Sequence, residues 1–256
     1  MTPEARERVA VVINTFRDDQ EHLVAAIRGY LDQENPERLH AGVIVYVSTV
    51  EGDPSVETVP AVFGAAPDII VHALPESKHP GRGPQGIYAQ LNDVFARVLE
   101  DAEERNIGWL TYASGTDEPL PAKLHLEVKR CIEEKKLVCY SSFYVSSGRG
   151  KRRSKRTFRP YSYKRHVKGN FVSDCALMRL YVARNFHPFQ MRFGNHAYWD
   201  FWLRVYEGLA DVFAYNPEPT WVYYISGESQ HVQRKRDPEK EAENERMRAH
   251  MLSFHG

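Results

Sequence analysis

VAVVINTFRDDQEHLVAAIRGYLDQ (residues 9–33) opens with an uninterrupted apolar run from Val9 to Ile13 and closes with apolar residues at helical spacing. A continuous apolar run of this length is the pattern of a strand covered on both faces. Leu23, Ala26, Ile27, Tyr30 and Leu31 then share one face of a helix. Strand, short turn and helix form the first unit of a parallel α/β sheet. At the join stand Asn14, Thr15, Phe16 and Arg17, a polar and aromatic cluster at the carboxyl edge of the strand. Ligands collect at that edge because helix N-termini and free backbone N–H groups converge there. The plainer reading of the same residues is a turn and a helix cap. Neither GxGxxG nor GxxxxGK[ST] occurs, which disfavours ordinary dinucleotide and P-loop sites.

The alternation continues outward from this unit. GVIVYVS (Gly42–Ser48), DIIVHA (Asp68–Ala73) and IGWLTYA (Ile107–Ala113) read as further buried strands. A helix is expected from about Ile87 to Glu104, after a Gly/Pro/His-rich loop, and another over Ala122–Lys136. The second half changes character. A strand at Leu137–Ser146 leads into Arg149–Lys168, which holds ten Lys/Arg and no acidic residue. A helix at Asp174–Arg184, an aromatic helix at Ala197–Gly208, two short strands (DVFAY and TWVYYIS) and a charged helix at Asp237–Leu252 complete the reading. The charged helix is either solvated or packed on a second subunit. The fold class expected is α/β: one domain with a mostly parallel, Rossmann-like sheet flanked by helices. Residues 1–136 would form a nucleotide-binding half, 137–236 an acceptor-side half, and 237–256 the terminal helix.

The chain has 256 residues, enough for a substantial core, and 42% are hydrophobic. Its formal net charge is zero, so the molecule as a whole does not seek a polyanion. Cys131, Cys139 and Cys175 show no CxxC spacing, which points to a reducing compartment and away from zinc. Val9–Ile13 is too short for the apolar core of a signal peptide, and no stretch approaches a bilayer span. A cytoplasmic, soluble protein with no transmembrane segment is the expectation; its oligomeric state is left open.

Six segments, in order, resemble the family 2 glycosyltransferases. VVINTFR with AIRGYLDQ resembles the family's first strand and helix, V-V-I-P-T-Y-N and S-L-L-x-Q. GVIVYVSTVEGD resembles its second strand and D-D-G-S-x-D turn, and GPQGIYAQLNDVF its G-x-x-x-A-x-N helix start. ASGTDEPLPAKL resembles L-D-A-D-D-x-x-x-P-x-x-L through Pro121 and Leu124. HAYWDFWLRVYEG resembles E-D-x-D-F-W-L-R-x-x-x-G, and WVYYISGESQH the closing Y-R-x-x-x-x-S-x-S.

The resemblance implies an A-type glycosyltransferase fold and a nucleotide-sugar donor such as a UDP-sugar. Carried over residue by residue, it places Thr15, Phe16, Arg17, Ser48 and Asp53 around base and ribose, with the Phe16 ring offering a face on which the base can stack. Ser48 and Thr49 stand where the family has paired aspartates. Asn92 and Thr116 join the donor-binding set, and Arg82 is either a pyrophosphate contact or a solvated loop residue. In SGTD the family's first two acidic positions are Ser114 and Thr116, and only Asp117 is kept. Asp117, with Glu118 beside it, is the candidate pair for Mn²⁺ or Mg²⁺, which prefer hard oxygen ligands. The alternatives are a metal-free site neutralised by Arg or Lys, or Asp117 as a helix cap.

An inverting transfer needs a base for the acceptor hydroxyl. The family's E-D positions are Ala197 and Tyr198 here, so Asp200 and His196 become the candidates. Trp199, Phe201, Trp202 and Val205 read as a packing face, with Arg204 paired inside the fold. The basic run, through Arg152, Arg153, Lys155, Arg156 and Tyr161, is the candidate acceptor surface, because positive charge interleaved with aromatics suits a phosphate backbone and bases. DNA with a hydroxymethyl base is the most concrete such acceptor. An anionic glycan, a lipid-linked acceptor, a solvated loop, or a catalytically silent binder of sugar nucleotide or nucleic acid are the competing readings.

Overall fold

The computed structural model describes residues 7–81, 83–225 and 238–255. Four parallel strands form the first half of one sheet: β1 (Arg8–Asn14), β2 (Val43–Val50), β3 (Ile69–Leu74) and β4 (Ile107–Ser114), in the order β3-β2-β1-β4. β1 therefore sits where the chain changes direction across the sheet, the position at which α/β folds bind ligands. Its helix α1 (Gln20–Leu31) begins where Asp19 accepts the Glu21 and His22 amides, and it buries Leu23, Ala26, Ile27 and Tyr30. Burying Leu23 or Ile27 stabilises the fold by roughly 1.5–3 kcal/mol each. The expected helices appear as α3 (Pro84–Asp101) and α4 (Lys123–Glu134). A helix not read from the sequence, α2 (Ser55–Phe63), follows β2 and carries Pro60 inside it.

Beyond β4 the sheet is mixed and curls. β5 (Glu118–Pro119) follows β4 after Gly115, Thr116 and Asp117, yet it pairs at the far end of the sheet. β6 (Val138–Ser146) lies between β8 (Leu177–Arg179) and β9 (Phe213–Tyr224), and β9 pairs with β5. The order β4-β8-β6-β9-β5 thus returns to the end of β4, so the turn at residues 114–117 lies where the curl closes. The basic run supplies β7 (Ser154–Arg156), antiparallel to Phe143–Val145 of β6. β9 occupies the other side of that stretch, so β7 extends the β8 side, over the carboxyl edge near β4.

Two expectations change here. Asp174–Arg184 is not one helix: Leu177–Arg179 is β8, and α6 (Leu180–Phe186) begins directly after it. DVFAY and TWVYYIS join in the single strand β9, because its register against β6 skips from Asn216 to Pro219. Pro217 and Pro219 lack the amide that an unbroken ladder would need.

α3, α6 and α7 (Ala197–Leu209) cover one face of the sheet, while α1, α2 and α4 cover the other. A short α5 (Tyr163–His166) follows the basic run. The charged terminal helix, α8 (Pro238–Leu252), is not wholly solvated. Its Met251 is fully buried with Phe193, Trp199 and Leu203. Among the described residues no helix is long and apolar enough to cross a membrane.

Candidate active site

The carboxyl ends of the parallel strands align one row of side chains. Asn14 pairs with both Ser48 and Ser114, and Ser48 with His72. Past this row the chain stays tight: the Thr15 amide donates to the Ser48 carbonyl and the Gly115 amide to the Asn14 carbonyl. Arg17 takes a left-handed conformation (φ 55°), and its amide donates to Asp53 Oδ2 at 2.6 Å. Asp53 Oδ1 accepts from the amide and hydroxyl of Ser55. Burial acts to raise the Asp53 pKa, but these hydrogen bonds outweigh it and hold the carboxyl below the usual aspartate range. Asp53 is therefore the brace that joins the turns after β1 and β2.

Those turns frame a cleft of about 380 Å³, lined by Phe16, Arg17, Gly52, Asp53 and His79 among others. The rings of Phe16 and His79 lie 4.6 Å apart at 34°, and the Arg17 guanidinium sits 5.4 Å from the Phe16 centroid. His79 reaches this place because its loop folds onto the start of α3. A Cβ on Gly86 would stand 2.0 Å from the Gly81 carbonyl, so only glycine permits that approach. Beside the cleft, Asn14 Oδ1, Thr15 Oγ1 and Gln90 Oε1 are buried without a partner among the described residues, although Gln90 Nε2 donates to the Thr15 carbonyl. Buried polar atoms are rarely left unpaired without a reason, and a polar ligand is one. Ser48, expected near the ribose, is instead 1% exposed, with its hydroxyl donating to the Gln90 carbonyl.

The SGTD turn is the second element of the site. The Ser114 and Thr116 hydroxyls bond each other at 3.1 Å. Asp117 is 5% exposed; its Oδ2 accepts from the Ser114 amide and Cys175 Sγ, while Oδ1 has no partner among the described residues. Burial pushes the Asp117 carboxyl up to about 7. Glu118 is engaged elsewhere: Arg153 donates to Oε1 at 2.8 Å and the Tyr224 hydroxyl to Oε2. That pair ties the basic run to the turn.

A third group, not foreseen from the sequence, stands against Asp117. Cys175 touches it, and the neighbouring Asp174 is near enough for its charge to act on Asp117, Tyr112 and Tyr198. Protein surrounds Asp174 closely enough to push its carboxyl up to about 6, yet the residue is exposed. The backbone beneath it is pinned. The Cys175 carbonyl accepts from Thr111 Oγ1 and Lys123 Nζ, and its amide donates to Ser173 Oγ. Lys123 in turn is fully buried against Glu127, which also accepts from Ser141 and Thr220.

The remaining expected residues lie apart from this edge or serve the fold. Asp200, the first candidate base, is 2% exposed; Arg204 Nε donates to Oδ2 and His255 Nε2 pairs with Oδ1. Both oxygens are committed, so it offers nothing to an acceptor. His196 Nε2 pairs with the Asn244 carbonyl, under α8. The Asn92 amide clamps both backbone groups of Phe189 rather than facing a donor. Tyr161, half-buried, packs its ring on Phe213 (4.1 Å, 7°) and pairs with His166, so the ring is committed to the edge of the core. Arg152, Lys155 and Arg156 are exposed. Arg82 lies outside the described residues, as do residues 226–231 of the closing segment.

Mg²⁺ at nucleotide sites is commonly held by one or two carboxylates with substrate phosphates and water. Among the described residues no three His, Cys, Asp or Glu side chains converge as a cage. The buried, unpartnered Asp117 Oδ1 fits as a single protein anchor for a metal that arrives with a nucleotide.

No known family model matches the chain, and no curated protein matches it in sequence. Its fold is shared with solved structures of S. aureus TarS. Residues 1–349 of TarS in complex with UDP match with a TM-score of 0.64 at 15% identity, over 95% of this chain and 65% of that one. The same piece in complex with UDP-GlcNAc gives 0.63 at 14%, over 88% and 60%. A further TarS structure gives 0.60 at 14%, over 96% and 43%. The chain thus spans less than two thirds of the length of the structures it matches. The expected A-type glycosyltransferase fold is the fold found.

Proposed function

We propose that the chain is a nucleotide-sugar-dependent glycosyltransferase that uses a UDP-sugar. The observation that carries this reading is the meeting, on one sheet edge, of an aromatic-lined cleft and the Asp117 turn. Phe16 and His79 supply π-faces for a base, and Arg17 adds charge at the rim. The TarS complexes with UDP and UDP-GlcNAc, on the same fold, support that choice of nucleotide. Asp117 Oδ1 would anchor Mn²⁺ or Mg²⁺, which offsets the negative charge of the departing diphosphate. Transfer would invert the sugar by direct displacement.

The acceptor we propose is polyanionic. β7 holds Lys155 and Arg156 exposed over the carboxyl edge, and Arg153 ties the segment to Glu118. DNA with hydroxymethylated bases is the concrete instance to test first, ahead of an anionic glycan or a lipid-linked acceptor.

Two measurements test the reading. UDP titrated into the protein by calorimetry, with Mn²⁺ and with EDTA, should bind, and more tightly with metal; a panel of UDP-sugars should release UDP. Absence of both sinks the enzyme reading. Gel shifts with hydroxymethylated and plain DNA should weaken steeply with salt, by a slope near −0.9 for each phosphate contacted. Failure to bind at low salt disposes of the DNA acceptor.

A further inference from the structure

Direct displacement requires a proton acceptor on the acceptor side, and the positions the sequence pointed to do not provide one. Ala197 has no ionisable group, and Tyr198 is a buried phenol whose pKa burial raises. Asp200 is locked between Arg204 and His255, and His196 is held under α8.

Asp174 has what those groups lack. It is open to solvent, lies in the turn that leads into β8, and is adjacent to the residue whose thiol touches Asp117. The residue that follows it is fixed: Thr111, Lys123 and Ser173 hold the Cys175 backbone, and Asp117 accepts from its thiol. Such support is what keeps a reacting group in place. Two buried polar atoms of the same cluster, Asp117 Oδ1 and Tyr198 Oη, have no partner among the described residues. The cluster is therefore built to receive something polar.

We propose that Asp174 is the catalytic base. The acceptor hydroxyl oxygen bonds to the anomeric carbon as its proton passes to an Asp174 carboxylate oxygen. The bond from that carbon to the diphosphate oxygen breaks, and its electron pair leaves on UDP. The proposal rests on the glycosyltransferase reading and assigns a residue outside the motifs that led to it.

Asp174→Asn and Asp174→Glu, made in the full chain, test it beside the wild type. UDP binding is measured by calorimetry, and UDP release from whichever UDP-sugar the wild type cleaves is timed with water as acceptor. The expected result is that Asp174→Asn binds UDP within about twofold of wild type yet turns over about 10²–10⁴-fold more slowly. Asp174→Glu should recover part of that rate. An Asp174→Asn variant that keeps its rate within threefold overturns the base assignment and leaves the enzyme reading standing. One that loses UDP binding while remaining folded overturns it too, placing Asp174 with the donor. A wild type that neither binds UDP nor cleaves any UDP-sugar overturns both.

Discussion

Lys123→Met removes one charge from a pair that has no solvent to fall back on. Lys123 is 0% exposed and Glu127 1%, and the ammonium donates to Glu127 Oε1, Glu127 Oε2 and the Cys175 carbonyl at 2.8–2.9 Å. Methionine keeps most of the volume. Glu127 Oε1 then retains Ser141 and Thr220 as donors, while Oε2 retains none. Breaking one side of a buried pair costs about 3–5 kcal/mol. For a chain of this size that lowers the melting midpoint by about 10 °C. Lys123→Met/Glu127→Leu removes both charges and leaves mainly the Ser141 and Thr220 hydroxyls short of an acceptor, at about 1 kcal/mol each. The double variant should therefore be more stable than Lys123→Met alone. Urea unfolding followed by tryptophan fluorescence on all three proteins decides it. A loss below about 1 kcal/mol in Lys123→Met, or a double variant less stable than the single, refutes the reasoning.

Three further outcomes follow from individual side chains. Phe16→Ala should weaken UDP binding about tenfold in calorimetry, since one stacked ring contributes on the order of 1–3 kcal/mol, with little change in melting temperature. His255 is pulled down in pKa by burial, but hydrogen bonds to Asp200 and Glu207 outweigh this and raise it above 6.5. Its contribution is complete below pH 6.5 and is lost as pH rises through the raised value. Protection factors of the α8 amides, taken against the intrinsic exchange rate at each pH, should accordingly fall toward alkaline pH in wild type, and His255→Ala should remove that fall. Asp117, raised by burial from 3.8 to about 7, binds its proton more tightly folded than unfolded. Stability therefore falls as pH rises between those values, by at most about 4 kcal/mol. In urea titrations Asp117→Asn should be more stable than wild type at pH 8 and similar to it at pH 4.

The parallel half of the fold was legible because its signals are local. Val9–Ile13 and the apolar runs before Ser48 and Ala113 declare buried strands without reference to anything distant. α2 was hidden by Pro60. β8 falls inside an apparent helix because three residues cannot establish a period of two, and its partners β4 and β6 come from elsewhere in the chain. In the site, motif order brought Phe16, Asp53 and Asp117 to one edge. It failed where a distant residue decides the role: Asp200 is claimed by His255, Asn92 by Phe189, and Tyr161 by Phe213. Gln90 and Lys123 lie inside two of the motif segments at positions to which the resemblance gives no role, and Asp174 lies in none; its one local trace is its place just before an apolar run.

The buried atoms left without partners at this edge set stability against binding, and Thr15 isolates that opposition. Thr15 is 0% exposed, its backbone is held by Ser48 and Gln90, and its Oγ1 has no partner among the described residues. Leaving such a hydroxyl unpaired costs about 1–3 kcal/mol. Thr15→Val replaces it with a methyl of similar size, so the ligand-free protein should gain roughly 1 kcal/mol in urea unfolding. If Oγ1 is reserved for the nucleotide, the same substitution should weaken UDP binding. The stabilisation UDP gives, about 2.7 kcal/mol at a concentration of 100 Kd, should then shrink at equal ligand. A variant that is more stable and binds UDP as wild type does would mean that the unpaired hydroxyl serves no ligand. A variant that is less stable would mean that the cavity had been satisfying Oγ1 all along.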